Sequence, residues 1–304
     1  MSAYDVAIIG GGPSGLAAAA YSAGFQLKTV LIAPMLGGKA SYEFKLNGQH
    51  YPTPIWGLES VQAFEKHVRS QPILHLTDEV SKVTHDANGA FQVALASDTV
   101  LDVRSVIVAT GAKPQRLYVP GEQDYFGRGV SFSALSHAPL FRGRDVVVVG
   151  NGVRTQVAIL KLATVANHVY WLSTTTQAAT TERLQRLQGH PKVTPLFDWE
   201  LQHILGGDCV TAVEIATDYA TRQLTVDGVF VELGLIPNIE FVRDLVQLDP
   251  ETGHILVNQR CETSLPGLLA AGDVTDVYAE QITVAIGEGV KAAISAWEYL
   301  VTTN

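Results

Sequence analysis

The chain is poor in cysteine: Cys209 and Cys261, far apart, are the only two among 304 residues. That number excludes a disulfide framework, and their separation excludes both a metal knuckle and a C-x-x-C redox pair. Basic residues are scarce as well: 21 Lys and Arg stand against 30 Asp and Glu, a formal net charge of −9. A general nucleic-acid binder needs the opposite balance, so no nucleic acid is expected as a partner. No apolar run approaches the roughly 18 residues that cross a bilayer, so no membrane span is expected either. A strand pattern begins at Tyr4, so no leader segment is expected and the cytoplasm is the expected location.

What is present is a hydrophobic content of 47% against 17% charged residues, the composition of an α/β globular protein. Short Val- and Ile-rich runs at 5–9, 29–32, 105–109, 145–149, 168–172, 228–233 and 268–271 alternate with helical patterns. Runs apolar on both sides predict parallel strands covered by helices. Two of them, starting at Val6 and Val146, lead into glycine turns followed by helices. Two βα units in one chain predict two Rossmann-like, three-layer nucleotide-binding domains. Pro- and Gly-bearing connectors at 113–121 and 235–238 place the second domain, 115–240, as an insertion. Segments 1–114 and 241–304 then fold together as the first.

The first turn reads Gly10-Gly-Gly12-Pro13-Ser14-Gly15. In G-x-G-x-x-G, the first glycine makes the tight turn and the second lets a pyrophosphate approach the backbone. The third lets the helix pack against the strand, and the helix N-terminus offers N–H donors. The second expected strand ends Leu31-Ile-Ala33, with no carboxylate for a ribose.

With the segments Gly37-Gly38, Ala109-Thr-Gly111, Gly234-Leu-Ile-Pro-Asn238, Thr263 to Asp273, Gln281-Ile-Thr and Gly287-Glu-Gly289, the chain resembles the low-molecular-weight thioredoxin reductases and the reductase part of the alkyl hydroperoxide reductase flavoprotein. The resemblance implies an FAD-dependent oxidoreductase that forms a homodimer. It implies FAD at Gly10, Gly12, Pro13, Ser14, Gly15, Gly38, Lys39, Val80, Thr110, Gly111, Gly272, Asp273, Gln281 and Ile282. Asp273 would hold the ribityl chain, while Gln281 and Ile282 would lie at the ring or ribityl chain. Glu280 stands where relatives carry Lys or Arg.

Two family features are absent. Ser133 and Ser136 occupy the positions of the redox cysteines and His137 that of the adjacent acid. Serine forms no disulfide and no accessible anion, so disulfide reduction through this turn is not expected; His137 is a candidate proton donor. The second turn reads Gly150-Asn-Gly152-Val-Arg-Thr155, with Thr155 at a small-residue position. The stretch after the next strand, Trp171 to Gln177, lacks the basic residues that bind the 2′-phosphate of NADPH. The second module is therefore expected either to bind nothing or to accept another nucleotide, a second FAD included, with Ser173 and Thr174–Thr176 offering hydroxyls to a ribose. The electron donor would be a ferredoxin docking near Arg142, Arg144, Arg183, Arg186 and Lys192, and a thioredoxin-like protein remains the alternative partner. The rival readings are a ferredoxin–NADP reductase-like flavoenzyme and a non-catalytic flavin-binding sensor.

Overall fold

The computed structural model describes residues 4–49, 53–86, 89–173 and 182–303. The chain begins with β1 (Tyr4–Ile9), α1 (Pro13–Gly24), β2 (Thr29–Ile32), β3 (Glu43–Phe44), β4 (Thr53–Pro54), α2 (Leu58–Ser70), β5 (Leu74–Leu76), β6 (Val80–His85), β7 (Phe91–Leu95), β8 (Val100–Val108) and β9 (Ala112–Pro114). It continues through β10 (Val130–Ser131), α3 (Ala134–His137), β11 (Asp145–Val149), α4 (Val153–Ala163), β12 (His168–Ser173), α5 (Glu182–Gln188) and β13 (Val193–Phe197). The last elements are β14 (Glu200–Gly206), β15 (Val210–Ala216), β16 (Thr221–Thr225), β17 (Gly228–Val231), β18 (Leu235–Pro237), β19 (Leu268–Ala270) and α6 (Ile282–Thr302).

These elements form two compact units. One comprises Met1–Ser41, Trp56–Lys113 and Ile236–Asn304, the other Tyr42–Ile55 and Pro114–Leu235. The sheet of the first unit runs β5-β2-β1-β8-β7-β6, with β19 also on β8. Its β5, β2, β1, β8 and β19 are parallel neighbours, whereas β6 and β7 join antiparallel. Val6, Ala7 and Ile8 have no exposed surface, as expected of a strand covered on both faces. The covering helices α1 and α6 approach closely because their contact residues are small. An ideal Cβ on Gly289 would stand 2.1 Å from the Ser14 carbonyl oxygen.

The second unit carries a parallel sheet, β10-β17-β11-β12-β13, and an antiparallel one, β14-β15-β16. Both units are thus of mixed α/β type with parallel sheets. Residues 42–55 group with the second unit, although the sequence reading leaves them with the first. Packing supplies the reason: Phe44 is fully buried, and Leu46 joins the core formed by Phe141, Trp171 and Phe230. The Lys45 N–H also bonds the Gly127 carbonyl (2.8 Å).

Gly289→Ala tests the helix contact in the first unit. Alanine is the better helix former by about 1 kcal/mol, but its methyl group must displace backbone, so a net loss of about 1–3 kcal/mol is expected in urea unfolding. Unchanged or increased stability would show that α1 and α6 are not packed backbone to backbone.

Candidate functional site

In the first unit the glycines do what their spacing requires. Gly10 leaves β1 at φ +112°, and a Cβ there would meet the Ala109 carbonyl oxygen at 2.3 Å. A Cβ on Gly15 would stand 1.9 Å from the Gly10 carbonyl oxygen, which brings α1 directly against the turn. Gly12 caps α1 and differs from both: nothing lies within 4 Å of its Cβ position. It is the open face of the cradle. Pro13 starts the helix, no side chain caps it, and no acid stands in its first turn. A pyrophosphate would therefore meet helix donors without carboxylate competition. Gly38 closes over the turn, its Cβ position 3.1 Å from the Gly12 Cα.

Residues from the far end of the sequence join this cluster. Gly272, at φ +80°, has no room for a side chain because the Ser14 hydroxyl would be 2.7 Å from its Cβ. Asp273 follows and pairs with Lys39 Nζ at 2.6 Å. Thr110 and Gly111 are held by Asn238, a landmark whose positioning role sequence reasoning missed. Its Nδ2 donates to the carbonyls of Thr110 (2.9 Å) and Gly111 (3.2 Å), while Thr110 Oγ1 donates to the Asn238 carbonyl (2.7 Å). Gln281 caps α6 through its carbonyl, which accepts from the Ala285 N–H (2.9 Å). Ile282 begins that helix, against Gly57. Val80 opens β6 and packs into the hydrophobic cluster on one face of the sheet. At the end of β2, His75 Nε2 lies 3.0 Å from the Ala33 carbonyl oxygen. Beside it is a cavity of about 270 Å³ bordered by Leu36, Val68, Arg69, Ile73 and His75.

The second glycine turn repeats the plan with a different filling. Gly150, at φ +145°, leads to Gly152, which caps α4 with nothing within 4 Å of its Cβ position. Thr155 is fully buried where the first turn has Gly15, and its hydroxyl donates to the Glu232 carbonyl (2.9 Å). The Glu232 side chain is nearly inaccessible. Its carboxylate accepts from Arg154 Nε and from the Ala134 N–H, both at 2.6 Å. Sequence reading passed over Glu232 and Arg154, since a lone Glu in a strand-end segment carries no pattern. Trp171 is a core residue whose indole N–H donates to the Gly150 carbonyl (2.9 Å). Ser173 is also buried, so its hydroxyl is not presented at the surface as expected for a ribose contact. Thr174–Thr176 and Gln177 lie outside the described residues. Of the cations proposed for docking, Arg144 is engaged by Asp227, Arg186 by Glu182, and Lys192 by the Ala166 carbonyl.

Ser133 and Ser136 are adjacent in space. Ser133 caps the short α3, and its hydroxyl lies 3.2 Å from that of Ser136. His137 is buried behind them, its ring centroid 4.0 Å from that of Phe44 and its Nδ1 2.8 Å from Ser131 Oγ. Its Nε2 is buried without a hydrogen-bond partner. Burial pushes its pKa from 6.5 down to about 4, so the ring is neutral at pH 7.

These two turns, and the match of residues 4–289 to pyridine nucleotide-disulphide oxidoreductases, decide the family. The chain belongs to the pyridine nucleotide-disulphide oxidoreductases. Among solved structures it is similar to thioredoxin reductase from Streptococcus pyogenes, with 31% identity, TM-score 0.88 and 98% of both chains covered. Thioredoxin reductase from Giardia duodenalis follows at 26% and 0.86, covering 98% of this chain and 99% of that one. An alkyl hydroperoxide reductase polypeptide from Pseudomonas putida is 34% identical over 99% of this chain and 59% of its own length. Its counterpart from Xanthomonas campestris is 35% identical, with 99% and 58% covered. The chain thus spans under two thirds of these curated relatives. Among the described residues, no helix is long and apolar enough to cross a membrane.

In this oxidoreductase fold His137 makes stability depend on acid. Its folded pKa lies below the unfolded value, so the unfolded chain takes up the proton first. The stabilisation is complete above pH 6.5 and falls as pH drops toward about 4, by up to about 3 kcal/mol. Urea unfolding across that range should show the loss in the wild type and less of it in His137→Phe. Parallel profiles would mean that His137 is not buried as a neutral ring.

Proposed function

We propose that this protein is an FAD-dependent oxidoreductase of the thioredoxin reductase type that takes its electrons from a donor other than NADPH and does not reduce disulfides through residues 133–136. The observation that carries the cofactor reading is the convergence of two distant segments: Gly272 of the Asp273 turn lies against Ser14 in the first turn of α1. In this reading, the open face at Gly12 and the α1 N-terminus take the pyrophosphate. Asp273 accepts hydrogen bonds from ribityl hydroxyls, with Lys39 beside it as counter-ion. The cavity at His75 and Arg69 receives the adenosine end in place of the missing carboxylate. FAD, when bound, supplies the two-electron chemistry that no side chain here provides. The chain's own residues orient it and exclude side chains from the backbone approach at Gly10, Gly15 and Gly272.

The purified protein is expected to carry FAD, and Asp273→Ala to lose it. A colourless, folded wild type would remove the basis of the reading. For the donor, an anaerobic absorbance titration with NADPH, NADH and reduced ferredoxin is decisive. NADPH should reduce the flavin slowly or not at all, because no cation stands between Trp171 and Gln177. Fast reduction that saturates at micromolar NADPH would overturn this.

A second reading concerns the second module. The exposed cap at Gly152, the absence of a capping side chain and the absence of an acid from the first turn of α4 favour a nucleotide pyrophosphate there, a second FAD included. Flavin released per chain on denaturation separates the cases: a ratio near one removes the second FAD.

The serine pair gives a separate test. With hydroxyls 3.2 Å apart, Ser133→Cys with Ser136→Cys should form a disulfide under mild oxidation, detected as loss of titratable thiol. Two thiols that persist at 133 and 136 would argue against the family's turn geometry.

A further inference from the structure

We propose that Glu288 is a positioning residue for the flavin nucleotide and that it takes up a proton from solvent when the nucleotide binds. This rests on the reading that the first glycine turn holds FAD. Glu288 lies in α6, one residue before the glycine that touches the Ser14 carbonyl. Its Oε2 accepts the backbone N–H of Gly272 at 2.9 Å. Gly272 is itself pinned in a left-handed conformation beside Ser14. Thr275 completes the turn from the other side, with both its N–H and its hydroxyl donating to the Gly272 carbonyl (2.9 Å each). Asp273 rides on the turn between these two anchors. One turn of α6 therefore sets both the first turn of α1 and the loop that presents Asp273.

The charges around Glu288 give the anchor its second property. Burial holds its carboxyl above the ordinary carboxylate range. Asp273 and Asp276 on the adjoining loop act in the same direction, while the Gly272 N–H and Lys291 oppose them. From the loop before β19 it faces Cys261, whose thiol is pushed up to about 11 by burial and is neutral. From the short helix after β2 comes Lys39, already paired with Asp273. α1 contributes Ser14, which does not titrate. A pyrophosphate arriving at α1 adds negative charge to a site that already disfavours ionised Glu288, so binding draws a proton onto it. Protonated or not, the carboxyl keeps an oxygen for the Gly272 N–H.

The sign follows from linkage. A ligand that raises the pKa of Glu288 binds more tightly on the acid side, and its Kd rises as pH passes from the free-protein pKa to that of the complex. The test uses full-length protein stripped of flavin and titrated with FAD, following quenching of flavin fluorescence between about pH 5 and pH 8. In the wild type the Kd should rise by about tenfold across this range, one pKa unit being tenfold. In Glu288→Gln, which keeps an acceptor for Gly272 but cannot titrate, the profile should be flat and binding as tight as the wild type's acid limit. Glu288→Ala should bind weakly at every pH. Superimposable wild-type and Glu288→Gln profiles overturn the proton uptake. Wild-type affinity in Glu288→Ala overturns the positioning role. A wild type that binds no FAD at any pH overturns the cofactor reading, and this inference with it.

Discussion

Backbone lying on backbone at the start of α1 is the constraint from which the first unit is built. Gly15 rests on the Gly10 carbonyl, Gly10 on that of Ala109, and Gly289 of α6 on that of Ser14. Each contact leaves no volume for even a methyl group, so the first turn of α1 is fixed relative to β1, β8 and α6 together. A helix fixed so closely presents its N-terminal donors and the bare Gly12 face in one place. The pre-organisation that an anionic ligand needs is then already present in the packing. The Asp273 turn inherits its position from the same contacts, because Gly272 adjoins Ser14 and is bonded by the neighbour of Gly289.

The second unit reaches a similar turn by another route. Where the first unit closes the helix onto the turn with a glycine, the second uses Thr155 and gives its hydroxyl the Glu232 carbonyl as acceptor. A buried hydroxyl without a partner would be costly, so the substitution depends on that bond. Glu232 also receives Arg154 and the Ala134 N–H. One carboxylate thereby joins the glycine turn to the α3 turn that carries Ser133 and Ser136. A buried carboxylate is tolerated here because a guanidinium and a backbone N–H both satisfy it.

The α3 turn is held together by its own side chains. Ser133 caps the helix as serine does well, accepting the Ser136 N–H, and the two hydroxyls adjoin. His137 serves the packing: it stacks on Phe44 and is kept neutral by burial, which ties residues 42–55 into this unit.

The sequence by itself determined much of this. Strands at 5–9 and 145–149, the two glycine turns, and the missing cysteines and cations were legible because they depend on local periodicity, backbone freedom and the presence of a functional group. Those properties belong to single residues or short spacings. Tertiary structure alone decided the contacts of Asn238, Glu232, Arg154 and Glu288, whose partners lie between 16 and 128 residues away. It decided that Ser173 and Trp171 face inward, since a strand's alternation does not say which neighbours cover it. It also moved residues 42–55 into the second unit, because burial of Phe44 and Leu46 outweighs their nearness in sequence to α1. Chain order fixes what a residue can do, but the groups that share its desolvated space decide what it does.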